Sequence, residues 1–235
     1  MERVGKSRIL GAVLASMMLI LTLAACGGDS GGGASSGKSN ADLLKEAATN
    51  MKAAKSYHLE VTANMAGQDV KMSGDIDLAN NKSKLDMSAA GQSVKMIAIG
   101  SDTYMSMDGG TTYTKAPGGG GLGIESFTKI WDSFKPEEVD KAKDALKDGN
   151  PKDETIGSDA TRHMTANIKD LSSLSGATGG GSTEGTADIW VTTSAKPTVR
   201  KMKMAGTSDG KEMTAEIQWS NVDQSVTIEA PPTTP

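Results

Sequence analysis

Apolar side chains recur along this chain with two different periods, and the change of period marks a change of element. Between Asn40 and about Ser56, Leu43, Leu44, Ala47, Met51 and Ala54 fall three to four residues apart, the spacing of one helix face. Ser39 or Asn40 is placed to cap that helix. From Tyr57 the period drops to two. Tyr57, Leu59, Val61, Ala63 and Met65 alternate with His58, Glu60, Thr62 and Asn64. Val70, Met72, Gly74, Ile76 and Leu78 repeat the pattern, and Leu85, Met87 and Ala89 follow. Val94 to Ile99 is more continuously apolar, with short strands expected around Tyr104 and Tyr113. Ala66-Gly67, Asn80-Asn81, Ala90-Gly91 and Asp108-Gly109 supply turns between these runs. The pattern predicts an antiparallel meander with one apolar and one wet face.

Pro117 and the run from Gly118 to Gly121 interrupt it. A helical stretch follows, with Ile124, Phe127, Ile130, Trp131 and Phe134 on one side. Pro136 then suits the first position of a second, strongly charged helix over 137–147. Strands are expected to resume at about Thr155 and to run through Arg162 to Ile168. A Ser/Gly/Thr-rich loop spans 172–185, with strands at 186–193, 198–205, 211–219 and, briefly, 225–229. Gly67-Gln68-Asp69-Val70-Lys71-Met72 and Gly91-Gln92-Ser93-Val94-Lys95-Met96 agree in five of six positions, 24 residues apart. Two copies do not make a solenoid; the echo reads as repeated hairpin chemistry.

The N-terminus follows different rules. Arg3, Lys6 and Arg8 precede 15 apolar residues from Ile9 to Leu23. That is short of the roughly 20 residues a bilayer span needs but suits the core of a secretory signal. The run ends in Leu23-Ala24-Ala25-Cys26, which resembles a bacterial lipobox. The resemblance implies cleavage of a signal peptide, residues 1–25, and a diacylglyceryl group on Cys26, the only cysteine of the chain. Residues 26–39 are then the lipidated cysteine and a Gly/Ser tether, and 40–232 a single folded domain. Thirteen tether residues, Gly27 to Ser39, reach roughly 20 Å as a random coil. The expected location is the extracytoplasmic face of a bacterial cell membrane, lipid-anchored, with acyl chains rather than basic attraction holding the protein there.

Charge and composition remove several alternatives. The chain has 235 residues with 25 Lys+Arg against 29 Asp+Glu, and loss of residues 1–25 takes its formal charge from −4 to −6. An acidic chain with 3% aromatic residues is not expected to bind nucleic acid. A single cysteine excludes an internal disulfide and a C-x-x-C pair. His58 and His163 stand on polar positions of separate strands without metal-ligand spacing, so no metal and no cofactor are expected. Glu137-Glu138 fall in a first helical turn, where acids favour the dipole. Gly118 to Gly123 lacks the Lys-Ser/Thr of a phosphate loop and reads as a connector or a lid. Asn81-Lys82-Ser83 marks a turn. No enzyme site emerges, and the chain is not expected to be an enzyme. Two-lobed solute-binding folds do not fit either, since βα alternation is absent.

Eleven of the 14 methionines lie beyond the signal, ten of them on expected strands: Met65, Met72, Met87, Met96, Met105, Met107, Met164, Met202, Met204 and Met213. Flexible, polarizable side chains suit either a core poor in Phe or a surface that re-packs around irregular apolar ligands.

Three stretches resemble the mycobacterial LppX/LprA/LprF/LprG lipoproteins. They are Ile156-Gly157-Ser158-Asp159-Ala160-Thr161-Arg162-His163-Met164; Gly185-Thr186-Ala187-Asp188-Ile189-Trp190-Val191 with Lys196-Pro197-Thr198-Val199-Arg200-Lys201; and the ending Val226-Thr227-Ile228-Glu229-Ala230-Pro231-Pro232. The order of elements is more distantly similar to the carriers LolA and LolB. The resemblance implies an α+β fold, a half-open curved antiparallel β-barrel closed on one side by helices, with a hollow that holds acyl chains. It implies a membrane-anchored extracytoplasmic lipoprotein that carries a lipid or glycolipid within the envelope, with a membrane transporter as a further partner. The Gly118 to Gly121 run and the glycines near 179–181 depart from that pattern.

Such a carrier needs no covalent chemistry. A tail leaving a bilayer costs roughly 0.8 kcal/mol for each CH₂ that meets water, and an apolar face under a helix shelters it. Alternation and methionine content nominate Leu59, Val61, Met72, Ile76, Leu85, Met87, Met96, Phe127, Ile130 and Trp131 as the ligand-binding surface. The alternative is a tethered envelope module, for interaction or structure, whose sheet is simply packed and takes no ligand.

Overall fold

The computed structural model describes residues 37–232, apart from Ala66, 117–123, Ser133, Ala142, 169–183 and 209–210. The signal peptide, Cys26, most of the tether and both Gly-rich departures lie outside the described residues.

Helix α1 (Asn40–Lys52) starts where Ser39 accepts a hydrogen bond from the Asp42 backbone N–H, and it ends at Ala53, earlier than the period suggested. Five strands follow in a continuous meander: β1 (Ser56–Met65), β2 (Gln68–Asp77), β3 (Lys82–Ala89), β4 (Gln92–Ile99) and β5 (Asp102–Ser106). A two-residue strand, β6 (Thr114–Lys115), closes that half. Positive φ at Ala90 and Gly91 makes the tight turn between β3 and β4. The echoed hexapeptides form the starts of β2 and β4, which flank β3 on either side: Met72 pairs with Met87, and Met87 with Val94.

Helices α2 (Ile124–Asp132) and α3 (Pro136–Lys141) come next, then β7 (Lys147–Ile156), β8 (Asp159–Asn167), β9 (Glu184–Thr192), β10 (Val199–Ser208) and β11 (Lys211–Ser220). Two expectations are corrected here. The second charged helix stops at Lys141, and residues 147–156 form a strand. Gly149 and Pro151 cannot extend a helix, but an edge strand tolerates them, and the β7–β8 ladder breaks register between Asp148 and Asp153. Residues 225–229 form no strand. They cross the outer face instead, with Ile228 buried against Ile97 and Tyr113.

The two meanders join through β1 and β11, with Leu59 opposite Trp219 and Val61 opposite Ile217. The result is one curved, unclosed antiparallel sheet in the order β6-β5-β4-β3-β2-β1-β11-β10-β9-β8-β7. Its edges, β6 and β7, are the strands that the α2–α3 segment connects, so the chain between Lys115 and Lys147 must pass from one edge to the other. Helices α2 and α3 of that connection lie over the face that carries Tyr57, Leu59, Val61, Met72, Leu85, Met96, Ile189, Met202 and Ile217, here the inner face. Side chains of α1, α2 and α3 belong to the same core cluster.

Candidate functional site

The ten side chains nominated from sequence are brought together. Leu59 and Val61 of β1, Met72 and Ile76 of β2, Leu85 and Met87 of β3, and Met96 of β4 share the inner face with Phe127, Ile130 and Trp131 of α2. Each is between 0 and 9% exposed. Strand register explains the clustering: Val61 faces Met72, Met72 faces Met87, and Leu85 faces Met96, so one parity of four successive strands lands on one side.

The face is larger than that nomination. Met164 on β8, Ile189 on β9, Met202 and Met204 on β10, and Ile217 and Trp219 on β11 continue it, and Leu43, Leu44 and Met51 of α1 pack on it. Alternation of Met202 with Met204, and of Ile217 with Trp219, was the signal for these. Met107, by contrast, lies beyond β5 and is 71% exposed.

Polar groups are sparse inside. The Tyr57 hydroxyl donates to the Phe127 carbonyl at 3.3 Å. Burial pushes its phenol well above the usual range, partly offset by the indole N–H of Trp131. The Ser83 hydroxyl, opposite Ile76 and fully buried, has no hydrogen-bond partner among the described residues. At the β7–β8 end the inner face turns polar, where Arg162 stands opposite Val191 and Asp153, and Asn40 donates to Asp148 at 3.2 Å. Arg162 occupies the apolar parity of β8, with Met164 and Ala166; that break in pattern was the signal sequence reading passed over. Lys45 lies 2.8 Å from Asp140 and 2.9 Å from Asp42, which ties α1 to α3. The hydrogen bond to Asp140, then that to Asp42, raises its pKa.

The outer face carries different chemistry. His163 is buried, not on a wet surface: Nε2 lies 2.8 Å from Asp188, Nδ1 lies 3.1 Å from Glu154, and the ring stacks on Trp190 at 4.2 Å. Trp190 donates through Nε1 to Glu154 at 3.0 Å. His58 of β1, four strands away from β8 along the sheet, pairs with Asp75 of β2 at 2.7 Å. Among the described residues no group of three or more His, Cys, Asp or Glu side chains is placed to hold a metal ion. A polar cleft of about 560 Å³ opens beside the β9–β10 connection. Its charges pair among themselves, Lys196 with Asp223 at 2.6 Å and Arg200 with Asp159 at 2.8 Å. The Thr192 hydroxyl accepts from the Thr198 N–H at 2.8 Å, so this wall braces the loop and offers nothing to an acyl chain.

Among the described residues no helix is long and apolar enough to cross a membrane. No family model matches the sequence, and no curated protein matches it closely. The fold does have a solved counterpart. LprF from Mycobacterium bovis aligns over 81% of this chain and 96% of its own, with a TM-score of 0.54 at 15% identity. An uncharacterized conserved protein from Thermus thermophilus aligns over 77% and 83%, with a TM-score of 0.36 at 5% identity. The likeness to the LppX/LprA/LprF/LprG lipoproteins, expected from three short stretches of sequence, is thereby borne out in the fold: this chain folds as LprF does.

Proposed function

We infer that the chain is a lipoprotein anchored through a diacylglyceryl group on Cys26, which binds acyl chains between its sheet and helices and carries them within the cell envelope. The observation that carries this reading is the continuous apolar inner face of an unclosed 11-stranded sheet, with three helices packed on that side. In this reading the acyl chains lie between the inner face and the helices packed on it, among side chains such as Phe127, Ile130 and Trp131 of α2. Flexible Met72, Met87 and Met96 then re-pack around the tail. Transfer is non-covalent, driven by the difference between donor and acceptor membranes. The LprF-like fold supports a binding and carrier role over a catalytic one. A membrane transporter is the expected partner for a lipid or glycolipid cargo.

Every described contact falls within residues 37–232, so the chain from residue 27 keeps the whole described fold. Native mass spectrometry of residues 27–235, purified without detergent from a lipid-containing host, tests the reading. Extra mass released as acylated lipid is the expected result. A clean protein mass, with no uptake of added glycolipid or phospholipid, would overturn it. That outcome would favour the second reading, a tethered interaction or structural module. Its supporting observation is that all ten nominated side chains are already covered by protein.

A further inference from the structure

One residue of the inner face does not match its neighbours. Arg162 shares the parity of Met164 and Ala166 on β8, faces Val191 of β9, and is 4% exposed. Its guanidinium stays charged and carries five N–H donors in a planar fork. Nη1 donates to the Lys38 carbonyl at 3.1 Å. Among the described residues Nε finds no acceptor: the nearest carboxylate, on half-exposed Asp153, stands 3.8 Å away. Buried charged groups are normally met by full sets of partners. This one holds a donor in reserve where the apolar inner face gives way to the polar β7–β8 end.

The position of Lys38 adds a second observation. It is the point at which the Gly/Ser segment joins the fold. With Cys26 anchored, only the residues between it and Lys38 separate the bilayer from this end of the domain, where the start of α1 meets the β7–β8 edge. A lipid leaving that bilayer tail-first would bring its head group to this end last.

We propose that Arg162 receives the phosphate of an acidic lipid whose acyl chains occupy the inner face. A guanidinium fork matches a phosphate in two parallel hydrogen bonds, and Asp153, loosely placed, yields its share of the charge to the incoming anion. The proposal rests on the reading that acyl chains bind under the helices, and it narrows the cargo to a phosphate-bearing lipid.

The test uses the whole mature chain, anchor intact, in a non-ionic amphipol, offered equal amounts of dioleoyl phosphatidic acid and dioleoylglycerol. These share their chains and differ in the phosphate. Native mass spectrometry of the wild-type protein is expected to show a preference for phosphatidic acid of about tenfold or more, the scale of hydrogen bonds to a charged partner. Arg162→Gln is expected to bind both equally while keeping its uptake of dioleoylglycerol. Asp153→Asn, which removes the competing carboxylate, is expected to raise the preference. Equal binding by the wild-type chain, or an unchanged preference in folded Arg162→Gln, would overturn the proposal and leave the acyl-chain reading standing. No uptake of either lipid would overturn that reading and the proposal with it. Binding of inorganic phosphate at Arg162 by a chain that shows no lipid preference would mark a free-anion site and overturn the proposal too.

Discussion

Trp131 of α2 packs against Trp219 of β11 with ring centroids 5.2 Å apart and planes inclined by 52°. The contact fixes the helical segment to the centre of the sheet, since β11 is the strand that joins the two meanders. Phe134, just beyond α2, adds a second tilted ring 5.9 Å from Trp131.

Trp131→Ala is therefore expected to cost about 3–5 kcal/mol of stability, as removal of a buried aromatic ring does. Urea denaturation followed by far-UV circular dichroism measures it. Near-UV circular dichroism should lose the same bands in Trp131→Phe and Trp219→Phe but not in Trp190→Phe, because Trp190 lies on the outer face against His163. An identical spectral change in all three variants would contradict the pairing.

The C-terminal segment should act as a strap. Ile228 is 3% exposed, packed on Ile97 and Tyr113, with Val226, Ile99 and Tyr104 around them, and Lys82 donates to its carbonyl at 3.2 Å. Ending the chain at Gln224 bares that patch. The loss of Ile228 alone is expected to cost about 1.5–3 kcal/mol, with a gain in self-association read by light scattering. A shortened chain that stays monomeric with its full denaturation midpoint would show that the strap is dispensable.

Gly149 of β7 lies against the His163 ring so closely that a Cβ there would stand 2.2 Å from Cγ. Neither the ring nor the edge strand can yield freely, because Asp188, Glu154 and Trp190 hold the imidazole. Gly149→Ala is expected to destabilise the fold by about 1–3 kcal/mol, as overpacking does. It should also shift Trp190 emission by breaking the stack. A variant as stable as the parent would mean that β7 moves away at no cost.

Acid should weaken the corner beyond β11, where Asp223 meets the start of β1 and the β9–β10 connection. The hydrogen bond from Lys196, then that from the Lys55 backbone N–H, holds the Asp223 carboxyl below its ordinary value near 3.8. A folded-state pKa lowered in this way contributes stability above the unfolded value, and the contribution disappears as pH falls through the folded one. Asp223→Asn is thus expected to lower the urea midpoint at neutral pH and to match the parent in strong acid. A gap that stays constant from neutral pH down to about pH 2 would assign the effect to packing instead of charge.

Local pattern carried far. Alternation along Leu59-Val61, Met72, Leu85-Met87 and Met96 named the inner face because a strand's side-chain period is two whatever its partner is. The same logic located α1, since Leu43, Leu44, Ala47 and Met51 need only helical spacing to share a side. Where local signals were mixed, reading faltered. Residues 137–147 carry the charges of an exposed helix, yet the helix ends at Lys141, and Gly149 and Pro151 suit the edge strand that begins at Lys147; no neighbour in sequence reveals which strand is an edge. Residues 225–229 have strand composition but lie across a patch formed by Ile97 and Tyr113, more than a hundred residues earlier.

By itself the sequence determined the helices' apolar faces, the meander, the parity of the inner face and a lipobox-like N-terminus, because each depends on residues a few positions apart. Only the tertiary structure decided that β1 pairs with β11, that α2 and α3 lie over the inner face, and that Arg162 meets the Lys38 carbonyl. Those are contacts between distant parts of the chain, selected by the free energy of burying the whole apolar face at once, a quantity that no local window contains.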